Sequence, residues 1–455
     1  MKTTLESYGK VIRKYKGKGK IVCPNGEEHS LEFKVAQLSD GKIIGFFYTK
    51  NDAKLFVKIY QQMSSLSFGN YQLIGKINSG QLVKADIFII GFNSDSETDK
   101  AVKKAIIQFT TSKLLIQFEK DNSKIKEYHF GITNFEFIGT DQTITPDGCH
   151  HNDKIVMRLS SREIVVKQLR NYREILSEIK ATQSTDVTSE IIVRHISGDN
   201  INKIQEIVED LCSLLSLARG TYIDWIYIDV YLKDGRKTKQ VLRDNYTRPY
   251  TGAHQLIRVL PLPDTKDFLV KCYENYKEHK NSRGLYPAIE FYVESKSLTI
   301  LESKYVTAWL ALEVLNSRCT KKRSIMSKGE FREIRKNILE TANSLSLKYD
   351  KKLLLETKVP DINRLPLAKS IENVLDVLSV DSSKYNIRHL NDLRNKIVHE
   401  GSFGKENRSY YPEYVELCGL FEHLILAVMK YDGYYIDCLD NYKRKKFGKS
   451  GNVRD

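Results

Sequence analysis

The hydrophobic period of this chain changes once, near Pro263, and that change limits what it can fold into. Upstream, short runs rich in Ile, Val and Phe recur: "HSLEFKVAQL", "KIIGFFYT", "ADIFIIGF", "AIIQFTT", "KLLIQFE" and "EIVVKQL". Turn chemistry separates them, as in "PNGEE", "SDGK", "NSG" and "TPDG". Apolar runs of this length, bounded by Gly, Asn, Asp and Pro, read as strands. Downstream, apolar residues recur three and four apart, the spacing of a helix with one buried face. The helical segments are "DFLVKCYENYKEHK", "LTILESKYVTAWLALEVLNSR", "GEFREIRKNILETANSL", "LAKSIENVLDVLSV", "NIRHLNDLRNKIVHE" and "PEYVELCGLFEHLILAVMKYD". The pattern predicts an α+β multidomain chain: a β-rich N-terminal half, sandwich or barrel-like, followed by an all-α bundle.

Three regions follow from this reading. Residues 1–198 form the β-rich domain, 199–262 a connecting segment, and 263–455 the helical domain. In the connector, "DNINKIQEIVEDLCSLLSLARG" places Ile201, Ile204, Val208, Leu211, Leu215 and Ala218 on one helical stripe. Asp199 or Asn200 can cap its start and Gly220 suits its end. "TYIDWIYIDVYL" and "TKQVLRDNY" then flank Asp234-Gly235, a hairpin signature.

At 455 residues, with 41% hydrophobic residues, the chain can bury several cores. No apolar run approaches the roughly 20 residues that span a bilayer. The N-terminus has basic residues but no apolar segment behind them, so a cytoplasmic protein is expected, without membrane contact. Seven scattered cysteines form no CxxC pair, which suits reduced thiols. A net charge of +15 favours a polyanionic partner, RNA or DNA above all. The densest basic run, "YKRKKFGKSGNVRD" from Tyr442, reads as a flexible solubilising end, with a nucleic-acid arm as its second reading.

The segment with most chemistry is "LRNKIVHEG", Leu393 to Gly401. On a helix from Ile387, residues Leu390, Leu393 and Ile397 form the buried stripe. Asn395 and His399, four apart, share one face. Arg394 is five residues before His399, about 140° away around the axis, so one helix does not aim both at one point. A second copy of the helix can. Gly401 ends the helix and places His399 in the last turn, where the dipole favours imidazolium. Such a histidine suits acid–base work near neutral pH. Arg394 can hold a phosphate bidentately, and Asn395 can orient the phosphate or the imidazole. The plainer reading is a solvated helix end; Arg-to-His spacing is common in a basic chain, and "RPYTGAH" (Arg248 to His254) repeats it around Pro249 and Gly252.

"LRNKIVHEG" resembles the Arg-Asn-x-x-x-His signature of HEPN domains, an all-α ribonuclease superfamily. The β-rich N-terminal half, "LLSLARGTYIDW" and "SKYVTAWLALEVLNS" ahead of the motif resemble the ApeA-like HEPN family of bacterial abortive-infection proteins. That resemblance implies a metal-independent endoribonuclease of antiphage defence, with no cofactor. It makes Arg394, Asn395 and His399 the catalytic residues and implies a homodimer or higher homo-oligomer. A phage-derived trigger, sensed through the N-terminal half, is a further expectation. The rival readings are an HEPN-like scaffold that binds RNA or protein without cleaving, and a regulated partner of a nucleotide-modifying enzyme.

Other features carry less. Glu313, inside the apolar "WLALEVL", reads first as a solvent-facing residue and second as a supporting partner that orients Arg394. Cys149, His150 and His151, with Cys23 and His29, could be imagined as zinc ligands, but adjacent histidines rarely both ligate, and no metal is expected. "GKGK" lacks P-loop spacing. The aromatics of "TYIDWIYIDVYL" could stack bases, but hairpin packing accounts for them more simply.

Overall fold

The computed structural model describes residues 5–50, 71–94, 104–118, 125–144, 150–245, 248–252, 254–320, 324–345, 348–404 and 408–448. It divides into two units, residues 1–273 and 274–455.

The first unit is built on one antiparallel sheet. Its strands are β1 (Val11–Val22), β2 (Glu28–Leu38), β3 (Ile43–Lys50), β4 (Tyr71–Ile77), β5 (Leu82–Ser94), β6 (Lys104–Thr110), β7 (Lys113–Gln117), β8 (Ile125–Thr133), β9 (Asp141–Ile144), β10 (His150–Leu159) and β11 (Arg162–Gln168). Helix α1 (Tyr172–Thr182), β12 (Val187–Arg194), α2 (Ile201–Arg219), β13 (Trp225–Leu232) and β14 (Lys237–Arg243) follow. Strands β1, β2, β3, β6, β5 and β4 close into a six-stranded barrel, because β4 pairs back onto β1. Closure removes the free edges that invite aggregation. The sheet leaves the barrel at β5, whose Leu82–Ala85 stretch pairs with β7 while Phe88–Ser94 pairs with β6. From β7 the order runs β14, β13, β8, β12, β11, β10, β9.

Two sequence expectations change here. The segment 199–262 supplies β13 and β14, which lie inside the sheet between β8 and β7, and the chain divides at Tyr273/Glu274 instead. "GKGK" lies in β1, a strand its pattern hides. A Cβ on Gly17 would stand 2.1 Å from the Lys76 carbonyl, and one on Gly19 2.6 Å from that of Ile74, so these glycines let β1 and β4 approach. Phe33, Phe47 and Phe109 fill the barrel, with the Phe47 and Phe109 rings stacked 4.5 Å apart. The expected helix is α2; the Asn200 side chain accepts from the Lys203 N–H at 2.9 Å, and Gly220 ends it at φ 62°. Asp199 is instead ion-paired with Arg162. Gly235 turns the β13–β14 hairpin at φ 83°.

The division falls within α3 (Asp264–His279). The second unit contains α4 (Leu285–Ser297), α5 (Leu301–Cys319), α6 (Lys328–Ser344), α7 (Tyr349–Ile362), α8 (Leu367–Val377), α9 (Ile387–Glu400) and α10 (Tyr411–Val428). It is not all-α, because it ends in a hairpin of β15 (Gly433–Asp437) and β16 (Lys443–Phe447). Helix α5 packs against α4, α8, α9 and α10. The basic run thus begins as a folded strand. Lys445 pairs with Asp437 at 3.2 Å and Asp440 at 2.7 Å, Lys443 pairs with Asp440 at 3.1 Å, and Arg444 stacks on Tyr434. Phe447 is buried. The sequence pattern missed α4, α7 and this hairpin. No helix among the described residues is long and apolar enough to cross a membrane.

Candidate active site

Helix α9 is fixed before its functional side chains are considered. Ile387, Leu390, Leu393 and Ile397 are buried and form its inward stripe. Their three- and four-residue spacing creates one apolar face. The Asn386 side chain caps the first turn by accepting from the His389 N–H at 3.2 Å. The buried Tyr305 hydroxyl of α5 donates to the Leu390 carbonyl at 2.8 Å and ties the two helices together. Gly401, at φ 75°, donates its N–H to the Ile397 carbonyl at 2.8 Å and ends the helix.

Arg394 lies at the edge of the buried stripe, half-buried against α5. Its Nη2 stands 3.2 Å from Glu313 Oε1, and its Nη1 donates to Asn395 Oδ1 at 3.1 Å. Glu313 is held in turn. The indole N–H of Trp309, one turn earlier on α5, donates to Glu313 Oε1 at 2.8 Å. Trp309 is fully buried, so this chain of contacts starts from a rigid group. Trp309, Glu313, Arg394 and Asn395 thus form one polar string across the α5–α9 contact. Trp309 had no signal in the sequence beyond being an aromatic four residues before Glu313. That spacing puts both on one helix face.

His399 is in the last turn of α9 and is exposed. Among the described residues it has no hydrogen-bond or ion-pair partner. It sits one turn beyond Asn395 and away from the Arg394 guanidinium, as the helical period requires. One protomer therefore presents a tethered cation and an open imidazole, not a closed pair. A guanidinium fixed by a carboxylate has lost much of its rotational freedom. It keeps N–H donors for a phosphate oxygen.

The imagined zinc ligands are not drawn together on neighbouring strands. His150 and His151 lie on β10, where His150 Nδ1 is 3.0 Å from Gln142 Oε1. His29 lies on β2, and Cys23 follows β1, at the other end of the strand order. Cys149 lies outside the described residues. The aromatics of β13 pack into the sheet: Trp225, Tyr227 and Ile228 are buried, and the Trp225 ring meets Phe130 edge-on.

Comparison with known families places this site. Residues 120–253 match the family model described as the YopA central domain, and residues 278–450 match the YopA C-terminal domain. The whole Trp309–Glu313–Arg394–Asn395–His399 set falls within the second match. The matched descriptions name YopA and not the ApeA-like family that the motif resembles. No curated protein and no solved structure matches this chain.

Proposed function

We propose that this YopA-like chain is a metal-independent endoribonuclease of the HEPN type, acting in antiphage defence and regulated by its N-terminal half. The observation that carries this reading is the pairing of a clamped Arg394 with an open His399 five residues later, at the end of a helix fixed on its other face. RNA brings its own nucleophile. A base accepts the 2′-hydroxyl proton, the 2′-oxygen bonds to the adjacent phosphorus, and the bond to the 5′-oxygen breaks as that oxygen takes up a proton. The products are a 2′,3′-cyclic phosphate and a 5′-hydroxyl end. DNA lacks the 2′-hydroxyl and is not cut. His399 fits the proton transfers. Arg394 fits the charge that builds on the phosphorane oxygens, and Asn395 fixes the guanidinium. The chain's own residues meet the proton and charge requirements of this route.

Arg394 and His399 diverge on one helix, so the working site on this reading is shared. Two α9 helices related by a twofold axis bring two arginines and two histidines into one cleft, with one histidine as base and the other as acid. The Arg394–Glu313 pair also fits a second reading, because helix–helix contacts use such pairs purely as staples; on that reading the domain is a non-cleaving RNA- or protein-binding scaffold. The deciding experiment incubates the purified chain with total RNA in excess EDTA and maps the ends. Cyclic phosphate and 5′-hydroxyl ends, lost in Arg394→Ala, support the enzyme. Intact RNA that is nevertheless bound supports the scaffold, and 5′-phosphate products dependent on a divalent ion reject the metal-independent route.

A further inference from the structure

Helices α6 and α7 form a hairpin that departs from the pattern of the rest of the bundle. They pack on each other, while the helices around α5 share a common core. On α6 only Phe331 is buried, and on α7 only Val359, at 3% exposure. Yet α7 reads "YDKKLLLETKVPDI". Leu354 is five residues before Val359, about 140° around the helix, so it faces away from the α6 contact. It is 61% exposed, and Leu353 and Leu355 flank it, also exposed. A helix apolar on its outer as well as its inner face has a missing layer. Two helices of 17 and 14 residues are also marginal without tertiary packing.

We propose that the outer face of α7 binds the same face of a second copy of this chain, antiparallel about a twofold axis near Leu354. Two features select a second copy. The first is charge. Asp350 and Lys358 lie four residues before and after Leu354, about 40° to either side of it and about 6 Å along the axis. Antiparallel pairing centred on Leu354 sets Asp350 of each chain level with Lys358 of the other. A parallel pairing would oppose like charges. In the single chain Lys358 has only a solvent-exposed neighbour, Asp361 at 3.7 Å, which costs little to exchange. The second feature is area. Leu345, Tyr349, Leu353, Leu354, Leu355 and Ile362 together expose roughly 700 Å², close to the ~800 Å² per partner of a standard interface. Two hairpins joined this way make a four-helix bundle, the smallest helical arrangement with a closed core.

This contact uses a different helix face from the α9 pairing proposed above, and its failure would leave that reading untouched. The experiment measures the mass of the full chain by light scattering and sedimentation over a concentration series. Leu354→Glu is expected to lower the mass at least twofold at concentrations where wild type is fully associated. The floor it reaches is two chains if α9 also pairs and one if it does not. Asp350→Lys and Lys358→Asp, both at exposed positions, are each expected to raise the dissociation constant about tenfold, and the double variant to restore it. Circular dichroism confirms that each variant is folded. A mass unchanged by Leu354→Glu, or a double variant weaker than either single one, overturns the proposal. So does wild type that stays monomeric, or that forms only a dimer unaffected by these changes, since the face then belongs to another partner.

Discussion

Arg394 and Glu313 stand 3.2 Å apart across the α9–α5 contact, and the buried Trp309 indole holds the glutamate from behind. Both charged side chains are 28% exposed. A pair so placed contributes at most about 1 kcal/mol to stability, because water screens it. Its greater effect is geometric. It removes rotamers from Arg394 and leaves the cation aimed past Asn395.

A graded response to substitution follows. Arg394→Ala and His399→Ala should each abolish detectable cleavage, with losses of about 10²-fold or more expected when a charge-stabilising or proton-transferring group is removed. Arg394→Lys should not rescue, because a point charge cannot bond a phosphate bidentately. Glu313→Gln keeps an acceptor for the Trp309 N–H but drops the charge. It should lower kcat by about tenfold at nearly unchanged KM, whereas Asn395→Ala should weaken cleavage less than Arg394→Ala. Thermal unfolding should move little in all four alanine or glutamine variants. If stability falls in step with activity, the string is a staple and not a site.

Mixing tests the shared cleft. Wild type exchanged with excess Arg394→Ala/His399→Ala protein should lose activity as mixed dimers form, because each cleft then lacks one set of groups. Activity per wild-type chain that stays constant, while mass measurement shows mixed dimers, would mean that each protomer carries a complete site.

The two units should answer pH in opposite directions. On β8, burial works against a charge on His129, but Glu190 and Glu127, 3.5 and 3.0 Å from its ring nitrogens, outweigh it and raise its pKa above 6.5. Its contribution is fully present below the unfolded value and is lost as pH rises through the folded one. His423 in α10 is buried between the Tyr385 and Tyr435 hydroxyls, with Asp437, Glu422, Lys384 and Lys445 around it. Desolvation outweighs the carboxylates and lowers its pKa from 6.5. The unfolded chain then takes up the proton first, so stability is full above pH 6.5 and declines as pH falls below it. Peptide-resolved hydrogen exchange, corrected for intrinsic rates, should show α10 losing protection from about pH 8 to about pH 5.5 while β8 gains it. Movement of both in one direction would contradict this assignment.

The basic C-terminal run should behave as structure. Phe447→Ala should cost about 3–5 kcal/mol, the usual range for a buried phenylalanine, while Lys446→Ala should cost under about 1 kcal/mol. Truncation before Lys443 should lower the unfolding temperature. Denaturation curves of these three proteins decide the matter; a truncation with unchanged stability would return the run to the role of a solvated tail.

The sequence was sufficient wherever a local rule matched the tertiary outcome. Alternation and turn residues located most strands of the first unit. The Leu390–Leu393–Ile397 stripe and Gly401 placed α9 and its end, because helix period and capping are local physics. Barrel closure was invisible, since it depends on β4 returning to β1 across some fifty residues of chain. So was β1, whose glycines look like a loop until a neighbouring backbone explains them. Helix α7 escaped notice because its leucines fall on more than one face, and the β15–β16 hairpin because its lysines hide a strand whose charges are met by Asp437 and Asp440. Arg394, Asn395 and His399 could be read from spacing. That Glu313 turns inward to Arg394, and that Trp309 holds it, was decided only when two helices distant in sequence came into contact.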